Sequence, residues 1–174
     1  SFFVLRMRCV KRGDAAISIE IGSVTTEVHT LSEVTRASMW AGLGQACVGN
    51  KLSDISHAVE TTILGAGEYG ILREYTGHGI GTQMHMDPAV PNYGAPGRGP
   101  ELIAGMALAI EPMATLGTHQ VHTLDDDWTV VTNDGSWASH WENTVAITDE
   151  GPWVLTELDG GAEYFARMGI SSPA

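Results

Sequence analysis

The chain has 174 residues, 43% of them hydrophobic, which is enough to bury the core of a single domain. Its formal net charge of −12 argues against nucleic acid or an anionic membrane surface as a partner. Two cysteines in unrelated contexts, Cys9 and Cys47, suggest neither a disulfide framework nor a metal site, so we expect a reducing, cytosolic compartment. No apolar run approaches the length of a membrane span or a signal-peptide core.

Hydrophobic periodicity and turn residues divide the chain into two helices and a series of short strands. Thr30, with Glu33 three residues later, forms a capping box that predicts a helix to about Val48. Ser53 predicts the start of a second helix, which ends at Gly65. Strands are predicted over residues 14–21, 69–75, 106–113, 128–132, 139–148 and 152–158, with a loop at 88–100, a hairpin arm at 118–127 and a tail at 159–174.

One glycine-rich stretch places two histidines, His78 and His85, seven residues apart. Glycines at alternate positions around His78 allow a positive φ or the close approach of a bulky group. One interpretation makes His78 a metal ligand and His85 an acid–base or substrate-contacting residue. The other is a glycine-rich turn between strands with two incidental histidines, and this stretch alone does not decide between them.

Three carboxylates stand in or beside apolar segments. Glu111 ends an apolar run, Glu142 has apolar and aromatic neighbours, and Asp14 stands at the leading edge of a predicted strand, or in a turn after Gly13. A buried carboxylate needs a metal or a basic partner, and basic residues are scarce here, which favours a metal. With His78 they suit Mn, Fe, Co or Zn, and hydrolysis of an acyl bond is the natural chemistry of such a site.

Four motifs occur together in the order and spacing of one known family. They are Gly77-His-Gly-Ile-Gly81, Met84-His85 with Asp87-Pro88, Ile110-Glu-Pro-Met113 and Trp141-Glu-Asn-Thr-Val-Ala-Ile-Thr148. With Gly13-Asp14-Ala-Ala, they resemble type I methionine aminopeptidases from about Gly13 to Leu158. The resemblance implies an α+β pita-bread (creatinase/aminopeptidase-like) fold, mainly its C-terminal half, with a curved antiparallel sheet and helices on its outer face.

The resemblance also assigns roles to individual residues. The implied metal ligands are Asp14, His78, Glu111 and Glu142. Glu111 would also be the acid–base carboxylate, and His85 would contact the scissile amide and steady the tetrahedral intermediate. Met84 and Trp128 take positions at the methionine pocket.

The implied activity is removal of the initiator methionine from nascent chains by a metal-dependent, water-mediated peptide hydrolysis. Members of the family use two divalent metal ions per subunit, among Co, Mn, Fe and Zn. The implied partners are nascent polypeptide N-termini, with the ribosome as a further candidate and with neither nucleic acid as substrate nor a membrane. A cytoplasmic monomer is expected.

The chain departs from the family at its start. The family has a further ligand aspartate eleven residues before the position of Asp14, and Phe3 stands there in this sequence. We expect residues 1–12 to be an unmatched basic segment, residues 13–158 to be an incomplete, N-terminally truncated catalytic domain, and the centre to hold one metal ion.

Two alternatives to an active methionine aminopeptidase stay open. The chain could be a catalytically incomplete remnant that acts only as a metal-binding or interaction domain. The presence of Phe3 in place of the family's ligand aspartate favours this alternative. A proline-specific peptidase of the same fold is the second, and the helix that begins with Leu-Ser-Glu and the short chain argue against it.

Overall fold

The computed structural model describes residues 13–173, which form three helices and ten short strands. The helices are α1 (Thr26–Leu43), α2 (Leu52–Ala66) and α3 (Ala162–Met168). The strands are β1 (Gly70–Ile71), β2 (Gly77–Gly79), β3 (Met86–Val90), β4 (Ala107–Ile110), β5 (Met113–Thr115), β6 (Val121–Thr123), β7 (Val130–Thr132), β8 (Ala138–His140), β9 (Asn143–Thr148) and β10 (Gly151–Val154).

The central sheet has five strands in the order β10-β9-β4-β2-β3, and each neighbouring pair is antiparallel. Its central strand, β4, is apolar, and the buried apolar residues of β4, β9, α1 and α2 belong to the same core. Gly42 of α1 allows this packing, because a Cβ there would lie 2.8 Å from the Val59 side chain of α2 and 3.2 Å from Ile110 of β4. The helices therefore cover the sheet at close range.

Two small sheets accompany the central one, with the strand orders β1-β5-β8 and β6-β7. The chain passes from the central sheet into a small one between β4 and β5, and returns between β8 and β9. The predicted strands 106–113 and 139–148 are therefore each two strands in different sheets. Pro112 explains the first break, since it has no N–H for a sheet ladder. Glu111 and Glu142 lie at these two crossings.

The predicted strand over residues 14–21 is not formed. Within the described part of the chain this segment makes one β-bridge, between Ala16 and Glu142. Its alternating isoleucines Ile17, Ile19 and Ile21 are 48%, 52% and 66% exposed. The alternation is real, but a strand also requires backbone pairing along its length, and in the described range Ala16 is the only residue of this segment that forms a β-bridge.

Helix α1 begins five residues before the position predicted from the capping box. Its N-cap is Thr25, whose hydroxyl accepts a hydrogen bond from the Val28 N–H at 3.4 Å. Thr30 lies inside the helix and donates its hydroxyl to the Thr26 carbonyl at 2.8 Å. The helix ends at Leu43, well before residue 48.

Helix α2 begins close to its predicted start, with Lys51 at the N-cap position. The Lys51 N–H donates to the Asp54 carboxylate at 2.7 Å. The predicted cap, Ser53, uses its hydroxyl for a loop contact, since it accepts the Arg98 N–H at 2.7 Å. Local capping signals located both helices but did not identify the residue that caps each.

The segment predicted as a tail, residues 159–174, contains helix α3. Phe165 is fully buried and lies edge-on to Trp40 of α1, with ring centroids 5.7 Å apart. Tyr164 stacks on the same tryptophan at 3.9 Å. Two aromatic contacts thus hold the C-terminal segment against the core.

Residues 1–12 lie outside the described range, and so do the predicted basic segment and Phe3. Over residues 13–173, none of the helices is both long enough and apolar enough to cross a lipid bilayer.

Candidate metal centre

The four predicted metal ligands come from four separate segments and meet around His78. One ligand-type atom from each of His78, Glu111 and Glu142 lies within 4.8 Å of the other two. The corresponding atoms of Asp14, His78 and His85 satisfy the same limit. The fold therefore brings together residues that are up to 128 positions apart in the sequence.

Strand register places the two glutamates. Ile110 of β4 pairs with Asn143 of β9, so the residue after Ile110 and the residue before Asn143 lie at the same end of this strand pair. These residues are Glu111 and Glu142. His78 lies on β2, which pairs with the other edge of β4. One buried strand, β4, thus positions three of the four ligand-type side chains.

Asp14 reaches the centre through the β-bridge to Glu142. The Ala16 N–H donates to the Glu142 carbonyl at 3.1 Å, and the Glu142 N–H donates to the Ala16 carbonyl at 2.9 Å. The two carboxylate residues are therefore joined through their backbones, independently of what their side chains bind.

The hydrogen bonding of His78 leaves one ring nitrogen available to a cation. Nδ1 lies 3.1 Å from the Gly79 carbonyl oxygen, which can only accept, so Nδ1 carries the proton. Nε2 therefore presents its lone pair to the site, in the arrangement typical of metal-binding histidines. It lies 3.6 Å from Glu111 Oε1 and 3.9 Å from Asp14 Oδ2.

The glycines around His78 serve close packing. None of Gly77, Gly79 and Gly81 has a positive φ, so that part of the sequence interpretation is wrong. A Cβ on Gly77 would lie 2.3 Å from the Ala109 carbonyl oxygen, and one on Gly79 would lie 2.4 Å from the Asp87 carbonyl oxygen. The expected close approach is confirmed, and what comes close is the backbone of the two neighbouring strands.

The charge balance of the centre fits a bound cation. The side chains of Asp14 and Glu111 are 12% and 13% exposed, and Glu142 is 5% exposed. Among residues 13–173, the ion pairs of Asp14 and Glu111 are with histidines, and no lysine or arginine compensates them. Crowded carboxylates in such a setting are costly without a cation. Three carboxylates and one imidazole Nε2 form a donor set that suits a divalent metal ion.

His85 lies on the open side of the centre. Its ring centroid is 4.4 Å from that of His78, with the ring planes at 59°, and the residue is exposed. Met84, next to it in the chain, is half-buried. An exposed imidazole beside a buried ligand is well placed to contact a substrate that approaches from solvent.

A groove of ≈ 530 Å³ adjoins the centre. Its lining, drawn from residues 13–173, includes the apolar side chains of Leu72, Met113 and Trp128, and it reaches His140. Trp128 is 83% exposed and lies in this groove, whereas Met84 is not part of its lining. Of the two residues expected at a methionine pocket, the structure brings Trp128 to the groove.

His140 is not among the site residues predicted from the sequence. Its Nε2 lies 3.6 Å from Glu111 Oε2, whereas His78 Nε2 lies 3.6 Å from Oε1. A signal existed, because His140 is two residues before Glu142 and side chains two apart in an extended segment point to the same face. This spacing could have predicted that His140 lies near the same site as Glu142.

Comparisons with known proteins identify relatives of this chain. The sequence is 54% identical over 145 residues to a methionine aminopeptidase of Clostridium acetobutylicum, covering 83% of this chain and 58% of the relative. It is 56% identical over 149 residues to methionine aminopeptidase 1 of Mycobacterium tuberculosis, covering 83% of this chain and 56% of the relative. The chain thus spans less than three-fifths of the length of these curated relatives. The predicted resemblance to methionine aminopeptidases is confirmed.

Solved structures give the same fold. A methionine aminopeptidase of Thermotoga maritima superposes with a TM-score of 0.81 at 41% identity, covering 83% of this chain and 58% of that one. The prolidase of Pyrococcus horikoshii, with a TM-score of 0.61 at 21% identity over 83% of this chain and 36% of that one, shows the fold alone. The expected pita-bread fold is confirmed. The model of metallopeptidase family M24 matches residues 8–149, which is well over half of this chain. The chain therefore belongs to that family.

Proposed function

We propose that the chain hydrolyses the first peptide bond of polypeptides that begin with methionine, and so removes the initiator residue from nascent proteins. The observation that supports this most directly is the meeting of His78, Glu111 and Glu142 within 4.8 Å, next to an apolar groove. The names of the curated relatives support the same activity.

Membership of a metallopeptidase family implies a divalent metal ion. We propose Asp14, His78, Glu111 and Glu142 as its ligands, Co, Mn, Fe or Zn as its identity, and one ion per chain. When bound, such an ion supplies Lewis-acid activation of a water molecule and of the substrate carbonyl.

The remaining steps fall to side chains of this chain. Glu111 takes a proton from the attacking water and passes it to the departing amine, since a carboxylate can serve as base and then as acid. His85, exposed and 4.4 Å from His78 between ring centroids, donates a hydrogen bond to the scissile amide as negative charge develops on its oxygen. Trp128, which lines the groove, offers an apolar surface to the methionine side chain.

The activity implies a setting. We place the chain in the cytoplasm, where polypeptides emerge from the ribosome, and propose that residues 13–158 act as a monomeric catalytic domain. Light scattering after size-exclusion chromatography tests the monomer, and co-sedimentation with ribosomes tests that contact.

Peptide hydrolysis tests the proposed activity. The purified full chain is supplied with Mn or Co and incubated with the peptide Met-Ala-Ser, and free methionine is measured by mass spectrometry. We expect release by the unsubstituted chain and by H122A, and none by E111A. His122 is a suitable control because it is exposed and hydrogen-bonded to Asn133.

A matched peptide, Leu-Ala-Ser, tests the specificity. Preference for methionine over leucine supports the role of the groove, and equal hydrolysis of both contradicts it. Metal-loaded protein that releases no methionine contradicts the proposed activity and supports a remnant that only binds metal.

A further inference from the structure

Glu111 lies between two imidazole rings, and the proposed function uses only one of them. His78 Nε2 is 3.6 Å from Glu111 Oε1, and His140 Nε2 is 3.6 Å from Glu111 Oε2. The Nε2 atom of His140 is buried, yet it makes no hydrogen bond within the described part of the chain. A buried polar atom without a partner is uncommon in native proteins and calls for an explanation.

Both sides of this contact are held by backbone structure. Met113 of β5 pairs with His140 of β8, and the Trp141 N–H donates to the Pro112 carbonyl at 3.4 Å. The amide of Asn92, a buried residue, donates to the Glu111 carbonyl at 3.2 Å. The approach of the imidazole to the carboxylate therefore follows from strand register, and does not depend on a mobile loop.

The geometry separates His140 from the metal ligands. His78 belongs to both groups of ligand-type atoms that lie within 4.8 Å of one another, and His140 belongs to neither. Its Nε2 contacts Oε2 of Glu111, whereas His78 contacts Oε1. Terminal carboxylate torsions are soft, so a carboxylate held at one oxygen only can turn and present either oxygen to a cation.

We propose that His140 is a positioning residue for Glu111. Its Nε2–H donates to Glu111 Oε2 and keeps Oε1 directed at His78, Asp14 and Glu142. A small rotation of either side chain shortens the 3.6 Å separation to an ordinary N–H···O distance of about 2.9 Å. The inference rests on the proposed role of Glu111 as a metal ligand and proton carrier.

Substitutions of His140 whose side-chain nitrogens extend to different distances test this role. The amide nitrogen of glutamine can occupy the place of Nε2, whereas that of asparagine reaches only as far as Nδ1. Calorimetric titration of Mn into the metal-free full chain is carried out for the unsubstituted protein and for H140A, H140N and H140Q. We expect H140A and H140N to weaken Mn affinity by about 10–100-fold without changing the stoichiometry, and H140Q to restore it.

Two results would overturn the proposal. One is an unchanged Mn affinity in H140A. The other is an equal loss in H140N and H140Q together with a changed visible spectrum of the Co-loaded protein, because that pattern makes His140 itself a ligand. Thermal melting of the metal-free variants checks their folding, and if H140A is unstable, the comparison of H140N with H140Q decides. Retention of Mn by E111A would instead refute the proposed role of Glu111, so the two failures are distinguishable.

Discussion

Asp14 and Thr144 are joined by two hydrogen bonds through a single hydroxyl group. Thr144 Oγ1 accepts the Asp14 N–H at 2.8 Å and donates to the Asp14 carbonyl oxygen at 2.8 Å. Thr144 is fully buried near the start of β9, two residues after Glu142. The threonine therefore fixes the backbone of one proposed ligand against the strand that positions another.

Thr144→Val should lower both the stability and the metal affinity of the chain. Valine has a similar shape but satisfies neither backbone group of Asp14, which costs about 1–3 kcal/mol of unfolding free energy. Displacement of Asp14 should weaken Mn binding by about tenfold, the usual effect of substituting a residue that holds a metal ligand in place. Urea unfolding and calorimetric Mn titration measure the two effects.

Thr148→Val is the matched control for this substitution. Thr148 lies at the other end of β9 and donates its hydroxyl to the Gly151 carbonyl at 2.7 Å. We expect a loss of stability with unchanged Mn affinity. Equal losses of Mn affinity in both variants would contradict a specific role of Thr144.

His78→Ala should abolish binding of the metal ion, because it removes the imidazole that lies near both Asp14 and Glu111. Elemental analysis after dialysis against Mn measures metal per chain. His57→Ala is the control, since His57 lies on α2 and contacts the Gly94 carbonyl at 3.3 Å. Retention of one metal ion per chain in the His78 variant would contradict the ligand assignment.

Gly77→Ala should destabilise the protein by about 1–3 kcal/mol, the usual cost of overpacking. The new Cβ would lie 2.3 Å from the Ala109 carbonyl oxygen, and that backbone cannot move without disturbing β4. Gly81→Ala is the control in the same stretch, because its Cβ would meet the flexible end of Met86 at 3.0 Å. Denaturant unfolding compares the two, and equal effects would show that steric contact is not the cause.

Phe165→Ala should cost about 3–5 kcal/mol of unfolding free energy, as expected for a large aromatic side chain removed from a core. Phe165 is fully buried against Trp40. Glu163→Ala, on the same helix, removes an exposed ion pair with Arg167 and should cost less than about 1 kcal/mol. Urea unfolding measures both, and a small effect at Phe165 would mean that α3 is not part of the cooperative core.

Asp134 should make stability depend on pH at the acid end. Hydrogen bonds from the Thr118 N–H and from Ser136 hold the pKa of its carboxyl well below the ordinary value. A lowered folded-state pKa contributes stability that is complete above the unfolded pKa, about 3.9, and is lost as pH falls through the folded pKa. The stability advantage over Asp134→Asn should therefore be constant near neutrality and shrink below about pH 4. Urea unfolding at several pH values measures it, and an advantage that persists undiminished to the lowest accessible pH would contradict the prediction.

Much of the centre was predictable because each ligand-type residue is unusual in its local setting. Glu111 ends an apolar run and Glu142 sits among apolar residues, so each pointed to a compensating cation before any fold was known. Periodicity likewise located both long helices. Helix caps were less predictable, since Thr25 and Thr30 both offer a hydroxyl that can cap a helix, and the observed cap is Thr25.

Three features depended on tertiary contacts. The isoleucine alternation after Asp14 indicated a strand, but of the described residues in this segment only Ala16 forms a β-bridge. Tyr164 and Phe165 of α3 pack on Trp40 of α1, a contact that no local pattern reveals. The contact of His140 with Glu111 depends on the pairing of β5 with β8, although its spacing from Glu142 was visible in the sequence.

The sequence by itself determined which residues could bind a cation, because a ligand's donor atoms and apolar surroundings are local properties. Only the tertiary structure decided which of them meet, because strand register sets distances between segments that are far apart in the chain. The pairing of β4 with β2 and β9 brings His78, Glu111 and Glu142 together. The pairing of β5 with β8 adds His140 to the second oxygen of Glu111.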